Sequence, residues 1–420
     1  MSKKDIHILS ASRLLFAVGY FMLLPTLAII LLVPPFSLTP TQAGIALMVY
    51  AIGDRGLSLL CLPIATRIGH RHLQSYGYLL SGVACLSILL MHAYWYLLVA
   101  FLAMGIGLSL AGTGARSYLG AVTDDALRLH GFSQLYIGLN AGSTLGTILV
   151  FSLPFRVHSY LVFLFAGMIF CCTAILTQAL ENTHEQPTAL PLALVCKTLT
   201  TDPAFRSALR NGAAYITLSS LAYFFYIQLY ELVPVFFERT VGPWRWFGWV
   251  FAANSLIIVL LQNPIVAMFK HKAARGHLQI IAGGFILMGV GAVSLATYWA
   301  PQITWVTMIF FTFGEIFTMP LIDYLISAGT APAVHVYFYA LSNTAMALGR
   351  AASVGLGLRY LEWATQSQAS MKVWWACMAI GAIAIAMLLC FFAVRALSRN
   401  PMKLVPPSDG ALFNRSNTGG

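Results

Sequence analysis

Residues 14–33 read LLFAVGYFMLLPTLAIILLV, twenty positions without one charged side chain. At 1.5 Å per residue a helix of this length rises about 30 Å, the thickness of a bilayer's hydrocarbon core. The preceding MSKKDIHILSASR places two lysines ahead of the apolar stretch, as a secretory signal does. The stretch is longer than a signal's hydrophobic region, has no A-x-A cleavage site, and is followed by eleven more of the same kind. It is predicted to be the first of a series of membrane spans.

The composition agrees. Of 420 residues 59% are hydrophobic and 9% charged, against about 25% charged in a soluble domain. These figures exclude a soluble enzyme, a disordered tail protein and a disulfide scaffold. The net charge of +11 is spread singly between apolar runs, with no cluster of four basic residues, so it does not mark a nucleic-acid partner. The seven cysteines form no CxxC and have no histidine at ligand spacing. They read as small buried hydrophobes, and no metal or cofactor is expected.

Division at Pro, Gly and polar clusters predicts spans near 12–33, 43–65, 73–92, 95–118, 132–153, 159–180, 207–236, 244–268, 277–298, 303–327, 334–359 and 372–394. The one long break falls between spans six and seven. The expected organisation is a six-helix bundle in 1–180, a cytoplasmic loop in 181–206, a second bundle in 207–394 and a polar cytoplasmic tail in 395–420. With the N-terminus inside, sixteen Lys and Arg fall in inner segments and five in outer ones. Both termini are therefore expected in the cytoplasm. The halves echo each other: Phe16 to Pro25 in span one matches Phe225 to Pro234 in span seven, and Leu62-Pro63-Ile64 in span two matches Asn263-Pro264-Ile265 in span eight. A duplicated unit places a binding site between the halves near the midplane.

Between spans two and three stands Leu62-Pro63-Ile64-Ala65-Thr66-Arg67-Ile68-Gly69-His70-Arg71. Arg67, Gly69 and Arg71 match the signature loop Gly-x-x-x-Asp-Arg-x-Gly-Arg-Arg/Lys of the major facilitator superfamily, which the chain resembles from 12 to 394. The resemblance implies an all-α membrane protein of twelve transmembrane helices, two six-helix bundles related by a pseudo-two-fold axis. Gly69 would allow a sharp turn, and Arg67 and Arg71 could bond helix C-termini or act only as topogenic cations. In span five Gly138, Gly142 and Gly146 form a small-residue face. That face, Gly112 to Arg116 and Gly314-Glu315 with Pro320 are similar to the family's drug:proton antiporters. The Pro position of that branch's Gly-rich element is Thr147 here.

A charge at a helix centre costs about 2.5–3.5 kcal/mol, so each needs a partner or a cavity. Four acids and three bases fall inside spans: Asp54, Glu231, Glu315 and Asp323 against Arg55, Arg116 and Arg350. Asp54 and Arg55 are adjacent and point about 100° apart, so each must find partners on other helices. Asp54 is a candidate proton site or half of a permanent ion pair. Glu315 and Asp323 share one face of span ten, and Asp323 could equally be a capping acid. Glu231 precedes Pro234 by one turn and could serve gating, proton binding or solvation. The arginines are candidates for holding an anionic group or for tuning an acid. Asn140, Gln228 and Asn254 are polar cavity candidates or interhelical bonds, and Tyr226 and Tyr230 could line a greasy pocket. Trp244, Trp246, Trp374 and Trp375 read as interfacial belt residues.

No Gly-x-Gly-Asp, zinc or acyl-transfer cluster supports an enzyme. The expectation is a monomeric, proton-coupled secondary transporter in a bacterial inner membrane. Its partners would be lipid, protons and a bulky amphipathic or partly anionic cargo, such as a drug or siderophore-like metabolite, that it exports. The alternatives are a proton-linked importer of an organic anion or siderophore, and a non-transporting receptor or scaffold on a transporter fold.

Overall fold

The computed structural model describes residues 3–60, 68–91, 93–120, 125–153, 158–181, 203–242, 246–269, 274–297, 300–328, 335–367 and 370–395. Among them the chain is helical throughout its core. Span one is α1 (Lys3–Leu23) and α2 (Leu27–Leu32), and span two is α3 (Pro40–Ala51) running into a wide π turn, Ile52–Gly56. Spans three to six are α4 (His70–Ser87), α5 (Tyr94–Gly120), α6 (Asp125–Ser152) and α7 (Tyr160–Thr177). Span seven is α8 (Pro203–Ile227), a second π turn (Gln228–Leu232) and α9 (Val233–Thr240). Spans eight to twelve are α10 (Phe247–Phe269), α11 (Ala274–Thr297), α12 (Pro301–Ala328), α13 (His335–Ser367) and α14 (Lys372–Arg395).

Eight of these segments are long and apolar enough to cross a membrane by themselves. Among the described residues the expected spans five and eight are apolar over shorter stretches, Ile137–Ser152 and Phe247–Gln262, and spans three and eleven also fall short by that measure. Several helices overrun the hydropathy boundaries. The helix α1 begins at Lys3, and α13 continues to Ser367. A charge ends an apolar window without ending a helix, since the backbone bonds are unaffected. In the α1 extension Asp5 is buried, and its carboxylate accepts from the Glu181 N–H at 3.1 Å just beyond α7.

Within the first half α4 packs on α5 and α7, and α1 packs on α6 and α7; within the second α11 packs on α12 and α14, and α8 on α13. Among the described residues the halves meet most extensively along two seams, α3 against α13 and α6 against α10, with smaller contacts between α2 and span seven. The small-residue face of α6 lies on α1, where side chains at Gly138, Gly142 and Gly146 would run into the backbone at Ser10, Leu14 and Val18. Helix association in a membrane rests on such close packing. The aromatic reading needs correction at α14. Trp246 is 59% exposed, as a belt residue is, but Trp374 and Trp375 are buried against Phe236. Their position near a helix end suggested the interface, and the neighbouring α9 covers them. Trp244 lies outside the described residues.

Because the α6 face has no spare volume, Gly142→Leu should lower stability by about 1–3 kcal/mol or prevent folding. Thermal melting of the detergent-purified chain followed by size-exclusion chromatography measures this; an unchanged midpoint would mean that α1 and α6 are not packed this way.

Candidate functional site at the seam between the halves

Both midplane acids of spans two and seven sit in π turns. In span seven the cause is local: Pro234 has no N–H to give to the preceding turn, and the chain widens so that the Val233 N–H bonds to the Gln228 carbonyl. In span two the turn Ile-Gly-Asp-Arg-Gly lies hard against α5. A Cβ on Gly53 would stand 2.7 Å from the Leu102 carbonyl oxygen, and one on Gly105 would stand 2.6 Å from the Asp54 nitrogen. A π turn frees carbonyls that lipid cannot satisfy, and hydroxyls satisfy them here. Ser58 Oγ donates to the Arg55 carbonyl at 2.7 Å, and Thr344 Oγ1, from α13, donates to the Gly56 carbonyl at 3.0 Å.

The two turns meet at Arg350 of α13, which is fully buried. Its Nε donates to Glu231 Oε1 at 3.0 Å, and its Nη2 donates to the same oxygen. Its Nη1 donates to Asp54 Oδ2 at 3.2 Å and to the Tyr20 hydroxyl at 3.4 Å, and that hydroxyl donates to Asp54 Oδ2 at 3.3 Å. The guanidinium also lies 4.7 Å from the Tyr50 ring centre. One cation thus holds an acid from each half. Arg55 lies at the edge of the cluster, 4.0 Å from Asp54, with its guanidinium 4.8 Å from the Tyr223 ring centre and Nη1 3.5 Å from Met346 Sδ. Its side chain is 29% exposed and that of Asp54 10%, against 1% for Arg350 and Glu231. The two acids and two arginines sum to zero charge, which is how four ionised groups can share a low-dielectric interior.

A second group lies deeper in the C-terminal half. The Tyr230 hydroxyl donates to Asn254 Oδ1, and Asn254 Nδ2 donates to Thr312 Oγ1 at 2.7 Å. Glu315 stands among Asn254, Tyr226 and Tyr230. Its Oε2 is buried with no hydrogen-bond partner among the described residues. Asp323, the other acid of α12, lies within electrostatic reach of Arg116 and Arg55 on the N-terminal half. Glu315 and Asp323 therefore belong to different neighbourhoods despite sharing a helix.

Other candidates lie apart. Gln228 turns away from the seam, accepting from Trp374 Nε1 at 3.1 Å and donating to Met378 Sδ at 3.4 Å. Asn140 is half-buried on α6. Arg67 lies outside the described residues. Gly69 has φ +79 with nothing within 4 Å of a Cβ, so the backbone alone requires glycine there. Arg71 reaches the end of α7 and donates to the Gln178 side chain at 3.1 Å, a side-chain oxygen where a backbone carbonyl was expected. His70, half-buried at the start of α4, stands where the signature carries a cation. Tyr20, Tyr50 and Thr344, which complete the cluster, carry no charge to mark them in the sequence.

Residues 9–354 match the family model for the Major Facilitator Superfamily. The sequence finds no match among curated proteins. Among solved structures it is similar to a peptide transporter POT in complex with sulfate, with 15% identity, 93% of this chain and 94% of that one covered, and a TM-score of 0.78. A POT family transporter in complex with 5-aminolevulinic acid is 14% identical over 93% of this chain and 96% of that one, with a TM-score of 0.73. A structure described under substrate recognition in proton dependent oligopeptide transporters is 13% identical over 95% and 100%, with a TM-score of 0.74.

Removing one member of a buried ion pair strands the other. Glu231→Leu should lower stability by about 3–5 kcal/mol, and Arg350→Leu, which leaves two acids facing each other, by at least as much. Chemical or thermal unfolding in detergent measures both; a loss below about 1 kcal/mol in each would show that water already solvates the pair.

Proposed function

Since the chain belongs to the major facilitator superfamily, a family of transporters and not of enzymes, we propose that it is a proton-coupled secondary transporter working by alternating access. The observation that carries the reading is Arg350, bonded to Glu231 of its own half and to Asp54 of the other. Opening the α3 and α13 seam must separate Asp54 from Arg350, and an ionised carboxylate left without its cation in the interior is costly. A proton on Asp54 removes that charge, so proton binding and seam opening are tied together. Glu231 keeps Arg350 neutralised while Asp54 is released. Glu315, half-buried with Oε2 unpaired and no cation in its group among the described residues, is the second proton site. Asp323 and Arg116 act toward the end that carries both termini.

The cargo reading follows from which groups remain available. Arg350 is occupied by two acids, so the anion-holding role passes to Arg55, the most exposed member of the cluster. Tyr226, Tyr230 and Asn254 supply the amphipathic wall. Gln228, committed to Trp374, leaves the substrate set. The halves 1–180 and 207–394 rock about this centre, joined by the loop 181–206 and followed by the tail 395–420. The protein works as a monomer in a bacterial inner membrane with both termini cytoplasmic. Export of a bulky amphipathic or partly anionic compound, as in the drug:proton antiporters or a siderophore exporter, is the first reading. The likeness to a transporter in complex with 5-aminolevulinic acid favours a second, proton-linked import of an organic anion.

In everted vesicles carrying a proton gradient, Asp54→Asn and Glu315→Gln should each abolish movement of cargo against its gradient while expression is retained. Full uphill transport by both variants would overturn the proton-site assignment. Accumulation of cargo by energised everted vesicles of the unaltered protein marks export, and its absence there with accumulation in right-side-out vesicles marks import.

A further inference from the structure

The two helices that meet at Asp54 and Arg350 meet a second time at their outer ends. The donors of the first turn of α3 can be accounted for one by one. Pro40 has no N–H. Thr39 and Gln42 form a reciprocal capping box, in which the Gln42 N–H bonds to Thr39 Oγ1 at 3.2 Å and the Thr39 N–H to Gln42 Oε1 at 3.1 Å. The Ala43 N–H bonds to the Thr39 carbonyl at 2.9 Å. This leaves the N–H of Thr41, which has no acceptor in its own half. It donates at 2.8 Å to Glu362 Oε2, on α13 and 321 residues away in sequence. A helix N-terminus carries partial positive charge and four donors without intrahelical partners, so a carboxylate is the side chain best suited to it.

The rest of this seam is apolar and tight. Gly44 faces Gly355, whose Cα would lie 3.5 Å from a Cβ at Gly44, and the half-buried Met48 side chain packs over Gly355. On the adjoining seam at the same end, Phe151 of α6 packs on Phe247 and Phe251 of α10. Apolar contacts of this kind can slide. The Thr41 to Glu362 bond fixes a register, and it lies thirteen residues along α3 from Asp54 and twelve along α13 from Arg350. At 1.5 Å per residue the two ties are roughly 20 Å apart on the same pair of helices.

We propose that Glu362 is a gating residue, a carboxylate latch that holds the end of the molecule distant from both termini closed by binding the N-terminus of α3. The inference rests on the alternating-access reading for its purpose. When the seam opens, Thr41 and Glu362 both pass to water, which solvates them, so the latch is a modest bias toward the closed state and is released without a proton. The tie at Arg350 is buried and needs one. The outer latch and the inner ion pair thus divide the work between position and charge.

The test needs neither cargo nor a gradient. In a chain whose seven native cysteines are replaced, Met48→Cys reports on the seam through its labelling by a membrane-impermeant maleimide added from the side away from the termini. Glu362→Gln removes the charge and keeps the shape. Thr41→Pro removes the N–H donor together with the threonine side chain, at a first-turn position where proline is tolerated. Each should raise the labelling rate by about threefold or more, the scale of a charge at a helix terminus. Glu362→Asp, added as a conservative variant, should stay nearer the parent than Glu362→Gln does. An unchanged rate in both Glu362→Gln and Thr41→Pro overturns the latch, as does a rise in Glu362→Gln alone, which would separate the charge from the Thr41 N–H. Because labelling is read without transport, loss of the proton-coupling assignment would leave this result standing.

Discussion

Arg350 sits where no water reaches it, and a guanidinium cannot give up its proton there. Everything around it follows from that constraint. Two carboxylates converge on it, one from each half, and a tyrosine ring covers its face. Those carboxylates reach one point from two helices that leave the regular α geometry and widen, in span seven because Pro234 lacks an N–H. The carbonyls released by the widening at Asp54 are capped by Ser58 and Thr344. The close approach of Gly53 and Gly105 then fixes the depth of the span-two turn. A permanent cation at the centre of an apolar molecule thus sets the positions of at least five helices.

The same constraint separates the acids into kinds. Asp54 and Glu231 answer to Arg350, Asp323 to Arg116 and Arg55, and Glu315 to no cation among the described residues. An acid beside a cation ties together the helices that carry the two, and an acid without one does not. Two carboxylates on the same helix face, Glu315 and Asp323, therefore have different chemistry because their neighbours differ. The end of the same seam away from the termini uses a weaker version of the device, in which a helix N-terminus replaces the arginine and solvent replaces the second acid.

Much of this was legible in the sequence. The twelve spans, the doubling of the unit and the membrane charges are consequences of bilayer thickness and of the cost of burying charge, and both act on composition directly. Glu231 stood out with Pro234 because a missing N–H is a local fact. Asp54 and Arg55 had to find partners on other helices because adjacent residues on a helix diverge by 100°. Trp374 and Trp375 misled because a tryptophan near a helix end has the same sequence signature whether lipid or α9 lies beside it. Of the two readings open for Gln228, the structure shows the interhelical bond, made to Trp374.

The sequence by itself determined that the chain crosses a membrane many times, which residues bear charge inside it and roughly how deep each lies, because hydropathy and helical rise are properties of single segments. Only the tertiary structure decided which charges are mated. Pairing Arg350 with Asp54 joins residues 296 positions apart, and the Thr41 to Glu362 bond joins residues farther apart still. No periodicity links such positions; they meet because two halves pack across a seam, and the geometry of that seam is fixed by glycines, tyrosines and hydroxyls that carry no charge to announce themselves.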